Sequence, residues 1–333
     1  MITSASRYCL TAVLLLLGPL AAVPAVSQPD LQAALDAAYS FAESEDSGET
    51  AQYIPALADA DPNPFALVIV TADGQVYRRG ETRKVFPIMS AAKPFTLALL
   101  LQQRGSDYVT KNIGVEPTGL PFNALNGIQR GRGKPMNPMV NAGAITTVSH
   151  INVNEPEQRW PLILDTYEQF AGAKLEVMGD VLNSVSISNY RNRALVNLLQ
   201  NEGWLSADPT STLDAYNKQS CVAVTTEQLA TMGATLANGG VNPLTDAKVL
   251  DSSLVDEVLS VMMLSGFYDE SGAWAFRAGL PAKSGVGGGI VAIVPGKMAI
   301  AGYSPRLSSA GNSVRALLAI EHLSEALNLS LFK

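Results

Sequence analysis

Ser90 and Lys93 stand three residues apart in Phe86-Pro-Ile-Met-Ser90-Ala-Ala-Lys93-Pro94, at the entrance to an apolar, leucine-rich run that extends to Gln103. Residues at this spacing share one face of a helix, so the lysine amine can reach the serine hydroxyl. Pro94 is tolerated if the helix starts near Ser90, because the first four amides have no acceptor inside the helix. A serine hydroxyl is a poor nucleophile at neutral pH, and a lysine near its ordinary pKa of about 10.4 is a poor base. Burial on an apolar helix lowers that pKa and lets the neutral amine take the serine proton. The same residues also fit a serine N-cap followed by a lysine on a solvated face.

A second cluster lies far downstream, in Leu280-Pro-Ala-Lys283-Ser284-Gly285-Val286-Gly-Gly-Gly289, just before the apolar run Ile290 to Val294. Glycines at such a place let backbone approach a ligand closely. Free amides at Ser90 and Val286 suit a developing oxyanion. A plain glycine turn is the bland alternative. A phosphate loop is disfavoured, because such loops run into a helix and this one runs into a strand. Lys-Ser-Gly beside a strand resembles the Lys-Thr-Gly box of serine β-lactamases and penicillin-binding proteins, which pair it with an upstream Ser-x-x-Lys.

The composition narrows the chemistry. The chain of 333 residues holds only two histidines, His150 and His322, and two cysteines, Cys9 and Cys221. This excludes a Cys/His zinc site and a disulfide framework, and it points hydrolytic chemistry to a base other than imidazole. A net charge of −7 argues against nucleic acid or an anionic membrane as the main partner. With 47% hydrophobic and 16% charged residues, the chain can build a sizeable core and is not a disordered one.

Residues 1–27 read as a secretory signal peptide. Arg7 precedes the apolar run Leu10 to Val26, and Ala25-Val26-Ser27 offers small residues at the cut, with Gln28 after it. The rival is a retained membrane anchor, against which Gly18, Pro19 and Pro24 interrupt a run already short for a span of about 20 residues. The expectation is an exported protein, periplasmic or secreted, with no membrane contact after cleavage and one catalytic domain over 28–333.

The pattern beyond the leader positions the two clusters. Leu31 to Phe41 has helical spacing, Phe65 to Val70 reads as a strand, and Val76 to Arg79 returns from the turn Ala72-Asp-Gly-Gln75 as a hairpin partner. Residues 112–145, rich in Gly, Pro and Asn, show no sustained period and read as a long irregular, functional stretch. Trp160 to Phe170, Arg191 to Glu202, Thr226 to Ala237 and Ser252 to Ser265 look helical. Gly289 to Val294 and Lys297 to Gly302 form a strand–turn–strand, and Gly311 to Leu327 a closing amphipathic helix. Strands near both ends with helices between predict an α+β fold: one antiparallel sheet from about 50–90 and 256–333, flanked by terminal helices, with an all-helical part inserted over about 91–255.

A narrower resemblance joins these pieces. The chain resembles the serine-dependent glutaminases, which share the β-lactamase/transpeptidase-like fold. The matching stretches run in order from Tyr53-Ile-Pro-Ala-Leu57 and the Ser90/Lys93 box through Gly114-Val-Glu-Pro-Thr-Gly119, Phe122-Asn123 and Asn137-Pro-Met-Val-Asn141-Ala-Gly-Ala-Ile145. They continue with Arg191-Asn192-Arg193-Ala194, Tyr216-Asn-Lys-Gln-Ser-Cys221, Leu236-Ala-Asn-Gly-Gly240, Gly266-Phe-Tyr268-Asp269 and Pro281-Ala-Lys-Ser-Gly-Val286. The resemblance implies hydrolysis of L-glutamine to L-glutamate and ammonia through a Ser-linked glutamyl intermediate. Ser90 would be the nucleophile and Lys93 its base. Tyr268 would stand near Ser90 as a proton carrier, and Tyr216 would assist proton transfer or position substrate. Tyr53, Asn141 and Asn192 would hold the amino acid's polar groups, and Val286 would lend its amide to the oxyanion. It implies an amino-acid substrate, no metal or organic cofactor, and a homo-oligomer, dimer or tetramer. Taken by themselves, Tyr53 and Tyr268 also fit core aromatics, and Asn141 and Asn192 fit turn or cap residues.

One departure stands out. The family carries a Glu a few residues before Arg-Asn, on the substrate's α-ammonium. Counting back from Asn192 puts Val185 in its place, and Met89 replaces a common Gln before the nucleophile. Two alternatives therefore accompany the glutaminase reading: a β-lactamase or D-alanyl-D-alanine carboxypeptidase on the same fold, and a silent amino-acid-binding relative.

Overall fold

The computed structural model describes residues 30–130 and 134–333, so the leader segment lies outside the described residues. Among the described residues there are seven strands: β1 Ala66–Thr71, β2 Val76–Gly80, β3 Phe86–Pro87, β4 Ala223–Val224, β5 Ala282–Ser284, β6 Gly289–Val294 and β7 Met298–Tyr303. Five of them form one antiparallel sheet in the order β2-β1-β7-β6-β5, with Ile69 opposite Ile300 and Val291 opposite Ala301. The two ends of the chain thus meet at the β1–β7 pair. The short β3 and β4 pair separately, beneath the entrance to the Ser90 turn.

The three central strands, β1, β7 and β6, are buried at every position because both faces of the sheet are covered. Leu67, Ile69, Ile290, Ala292 and Ile300 point to one side, against Leu35, Ala38, Ala319 and Leu323 of the terminal helices Leu31–Ala42 and Val314–Ala326. Val68, Val70, Val291, Ile293 and Ala299 point to the other, into the larger core shared with the helical part. A side chain alternates in period two, so a strand buried on both faces reads as a continuous hydrophobic run rather than an alternating one.

The helix Thr226–Ala237 spans the second face of the sheet. Thr225 caps it through the Gln228 amide, and Gln228 returns the bond to the Thr225 amide, a reciprocal pair that fixes its start. Gly233 lets it lie close. A Cβ there would stand 2.6 Å from Val291 Cγ2 and 2.8 Å from Ala299 Cβ. Gly233→Ala is therefore expected to lower stability by about 1–3 kcal/mol through overpacking, read as a reduced urea midpoint with an unchanged slope.

Between the two chain ends lie the helices that carry much of the cleft. They include Lys93–Arg104, Asn141–His150, Gly179–Ser188, Tyr190–Asn201 and Pro209–Ser220. The antiparallel sheet, terminal helices and inserted helical part form the α+β architecture anticipated from the sequence. One detail differs. The stretch 112–145 was expected to lack regular structure, yet a short helix forms at Asn126–Arg130 and the helix Asn141–His150 begins inside it. Every residue of that second helix is buried, including its polar Thr146 and Thr147, so no amphipathic period announces it. Gly143 is needed there because a Cβ would fall 1.8 Å from the Asn137 carbonyl oxygen.

Candidate active site

Ser90 sits in a 3-10 turn, Met89–Ala92, that runs directly into the helix Lys93–Arg104. In 3-10 geometry residues three apart eclipse, so Ser90 and Lys93 stack on one side of the turn. The Lys93 amide donates to the Ser90 carbonyl and closes it. Met89, just before the nucleophile candidate, is held at φ 48°, a left-handed conformation that a side chain of its size rarely takes. Tyr268, which faces Ser90, is held at φ 59°. Strain at Met89, next to Ser90 in the chain, and at Tyr268, which faces it, marks a place where the surrounding fold imposes geometry.

Lys93 is buried, with its Nζ donating to the Met139 carbonyl at 3.1 Å and to Asn141 Oδ1 at 2.8 Å. Both acceptors are neutral, so burial is uncompensated and the amine's pKa falls to about 7. It needs little further help to lose its proton near neutrality. Asn141 in turn donates from Nδ2 to Asn192 Oδ1 at 2.9 Å, which leaves the Asn192 amide nitrogen available to a ligand.

The Tyr268 ring lies between two lysines. Lys93 Nζ is 5.4 Å from its centroid and Lys283 Nζ is 3.9 Å away. Lys283 is fully buried on β5 and donates to the carbonyls of Gly266 and Ser284 at 2.7 and 2.8 Å. Burial, and then repulsion from Lys93, pushes its pKa well down. The Tyr268 hydroxyl is buried without a hydrogen-bond partner; burial raises its pKa, opposed by the neighbouring Ser90 hydroxyl. A neutral phenol beside a serine and two proton-poor amines is a short chain of groups that can pass a proton.

The candidate oxyanion position is backbone. Gly285 follows β5 and presses on the Ser90 turn, where a Cβ would stand 2.6 Å from the Ile88 oxygen and 3.3 Å from the Ser90 nitrogen. The amides of Ser90 and of Val286, the residue after Gly285, take no part in the backbone hydrogen bonds of these turns. Gly285→Ala is expected to push the two segments apart and to cost up to about 10²–10³-fold in kcat, the scale of one lost oxyanion donor. A kcat measured beside the thermal midpoint checks this, since the loss in rate is to exceed any loss in stability.

These residues open on a cleft of about 110 Å³, too small for a drug-sized ligand. Its walls bring together Tyr53, Ser90, Asn141, Asn192, Tyr216 and Val286, residues that the sequence placed in a site. Lys93 and Tyr268 lie buried behind Ser90. Val185, on the helix Gly179–Ser188, is also in the wall, as the spacing from Asn192 implied. It packs with Ile54, Met89 and Val286. The Tyr216 hydroxyl's pKa is driven up by burial, then by the neighbouring tyrosines, so it remains a neutral donor.

The sequence reading left several members without a role. Lys283 belongs to the Lys-Ser-Gly box, but only the strand pairing of β5 with β6 turns it inward under Tyr268. Asn189 donates to Asn217 Oδ1 at 2.7 Å, and both line the cleft. Gln219 accepts from Thr96 at 2.8 Å and ties the Ser90 helix to Pro209–Ser220. No local pattern announces these pairs, which form across 28 and 123 residues of chain.

The similarities to known proteins agree with this geometry. The family profile described as glutaminase matches residues 48–332. A glutaminase of Colwellia psychrerythraea is 46% identical over 305 residues, covering 92% of this chain and 98% of that one. Glutaminase 1 of Escherichia coli K12 is 45% identical, covering 91% and 98%. Among solved structures, the probable glutaminase ybaS superposes with a TM-score of 0.89 at 45% identity, covering 91% of this chain and 98% of that one. A probable glutaminase from Bacillus subtilis, complexed with 6-diazo-5-oxo-L-norleucine, gives 0.80 at 29% identity, covering 90% and 95%. Together with a strained serine turn, a buried lysine of lowered pKa and two free amides over one small cleft, these likenesses place the chain in the glutaminase family.

Proposed function

We propose that the protein hydrolyses the side-chain amide of glutamine, with Ser90 as nucleophile. The observation that carries this is the buried Lys93 amine, pKa about 7, stacked against Ser90 beneath two unpaired amides. Lys93 accepts the Ser90 proton as Oγ attacks the amide carbon. The new oxyanion accepts from the Ser90 and Val286 N–H groups. The proton passes to the leaving nitrogen, through Tyr268 or from Lys93, and ammonia departs. Water then adds to the Ser90 ester with the amine again as base, and the acid is released. Tyr53, Asn141, Asn192 and Tyr216 hold the polar groups of the amino acid.

Ammonia release from the purified protein supplied with glutamine, asparagine, N-acetylglutamine and γ-glutamyl amides tests this reading. Release from a γ-carboxamide supports it. Release from none of them, or turnover of a chromogenic lactam in their place, overturns it.

From the leader pattern of residues 1–27 we propose that the protein is exported and acts outside the cytoplasm with Gln28 as its first residue, and that it is a homo-oligomer. Among the described residues, no helix is long and apolar enough to cross a membrane. N-terminal sequencing of the protein as it is made, and its mass in solution, check the two proposals.

A further inference from the structure

The wall of the Ser90 cleft contains no carboxylate among the described residues, while it does contain Arg191. Where the chain of a bound glutamine would pass, Val185 presents a buried methyl surface backed by Val181 and Cys221. With its carboxamide carbon at Ser90, an amino acid of this length keeps its α-nitrogen within about 5 Å of that carbon by ordinary bond lengths. The nitrogen therefore stays inside this cleft. A free ammonium there would give up water and find only neutral partners, amides and phenols, with Arg191 the one charged residue of the lining. Buried charge without a counter-charge is unfavourable, whereas a neutral amide nitrogen needs a single acceptor.

A second hollow adjoins the first. It has a volume of about 530 Å³ and shares Tyr53, Phe122, Asn123 and Val286 with the cleft. The Tyr53 and Phe122 rings, 6.5 Å apart between centroids, stand on both linings. Its further wall mixes apolar and small residues such as Ala51, Leu307 and Gly311 with the neutral polar Thr50, Gln52 and Ser308, and the exposed Glu49 is its one carboxylate. This space is larger than the cleft itself and is open to a substituent on the α-nitrogen.

We infer that the preferred substrate is a glutamine whose α-nitrogen is acylated, the acyl group lying in the hollow beyond Tyr53 and Phe122. This rests on the reading of Ser90 as the nucleophile of an amide hydrolase. Arg191 and the Asn192 amide are then left to the α-carboxylate, and Val185 sets the preference by excluding charge.

The test compares kcat/KM for N-acetyl-L-glutamine and free L-glutamine on the wild-type protein. The inference expects the acylated amide to be favoured at least tenfold. It also expects Val185→Glu to reduce that ratio at least tenfold, and Val185→Gln, of the same shape without the charge, to leave it within a few-fold. Free glutamine favoured by tenfold or more, or comparable rates on both, overturns the inference and leaves Ser90 chemistry standing. Ammonia from neither overturns the reading of Ser90 itself. Should Val185→Glu fail to fold in its apolar cluster, the wild-type ratio alone decides.

Discussion

Ser90→Ala is expected to lower the rate of amide hydrolysis by about 10⁴–10⁶-fold, the scale of removing a catalytic serine nucleophile. The fold should be unaffected. Ser90 makes no side-chain hydrogen bond that holds the turn; the turn is closed instead by backbone, through the Lys93 amide on the Ser90 carbonyl and the Ala91 amide on that of Ile88. A thermal midpoint within a degree or two of wild type, beside the lost ammonia release, separates loss of chemistry from loss of structure. A variant retaining more than a few per cent of the rate would move the nucleophile elsewhere.

Lys93→Arg is expected to be nearly as damaging as Lys93→Ala, with a loss of about 10²–10⁴-fold for a missing general base. Arginine keeps a cation but does not release its proton near neutrality. In the wild type the rate should rise with pH through about 7, as Lys93 becomes neutral. Stability moves in the same direction. The folded amine has a pKa of about 7 and the unfolded one 10.5, so between these values only the unfolded chain binds the proton. Stability therefore rises with pH across that window, and below about pH 7 the fold carries the full disadvantage of a buried charge. A pH–rate profile on Lys93→Arg that still rises through 7 with near-normal rate would assign the base to the other buried amine, Lys283.

How much of this was legible beforehand depends on the range of the interactions. Ser90 and Lys93 are three residues apart, and a turn of either helical type brings them together, so spacing alone suffices. The strands β1, β6 and β7 are short runs of β-branched and small apolar residues between turns, which leave little choice but a buried sheet. The helix Gly179–Ser188 was not anticipated. Its sequence is GDVLNSVSIS, half polar, and only Val181 and Val185 are buried, too few to raise a period. The inward turn of Lys283 was not legible either. It depends on the register that sets Lys283 opposite Val291, a pairing fixed by the whole sheet. Nor does any local rule give Met89 and Tyr268 positive φ, because tertiary packing, not propensity, imposes it.

The central claim is a covalent intermediate on Ser90. Hydroxylamine added during turnover of the amide that the protein hydrolyses fastest should divert the acyl group from water, because an ester on Ser90 is open to either nucleophile. The account predicts the γ-hydroxamate of that substrate, growing with hydroxylamine at the expense of the free acid while ammonia release does not fall. It also predicts an acid-quenched peptide containing Ser90 that is heavier by one acyl group. Turnover that yields no hydroxamate at any hydroxylamine concentration, with the Ser90 peptide unmodified, would show that water attacks the amide directly and would contradict the account.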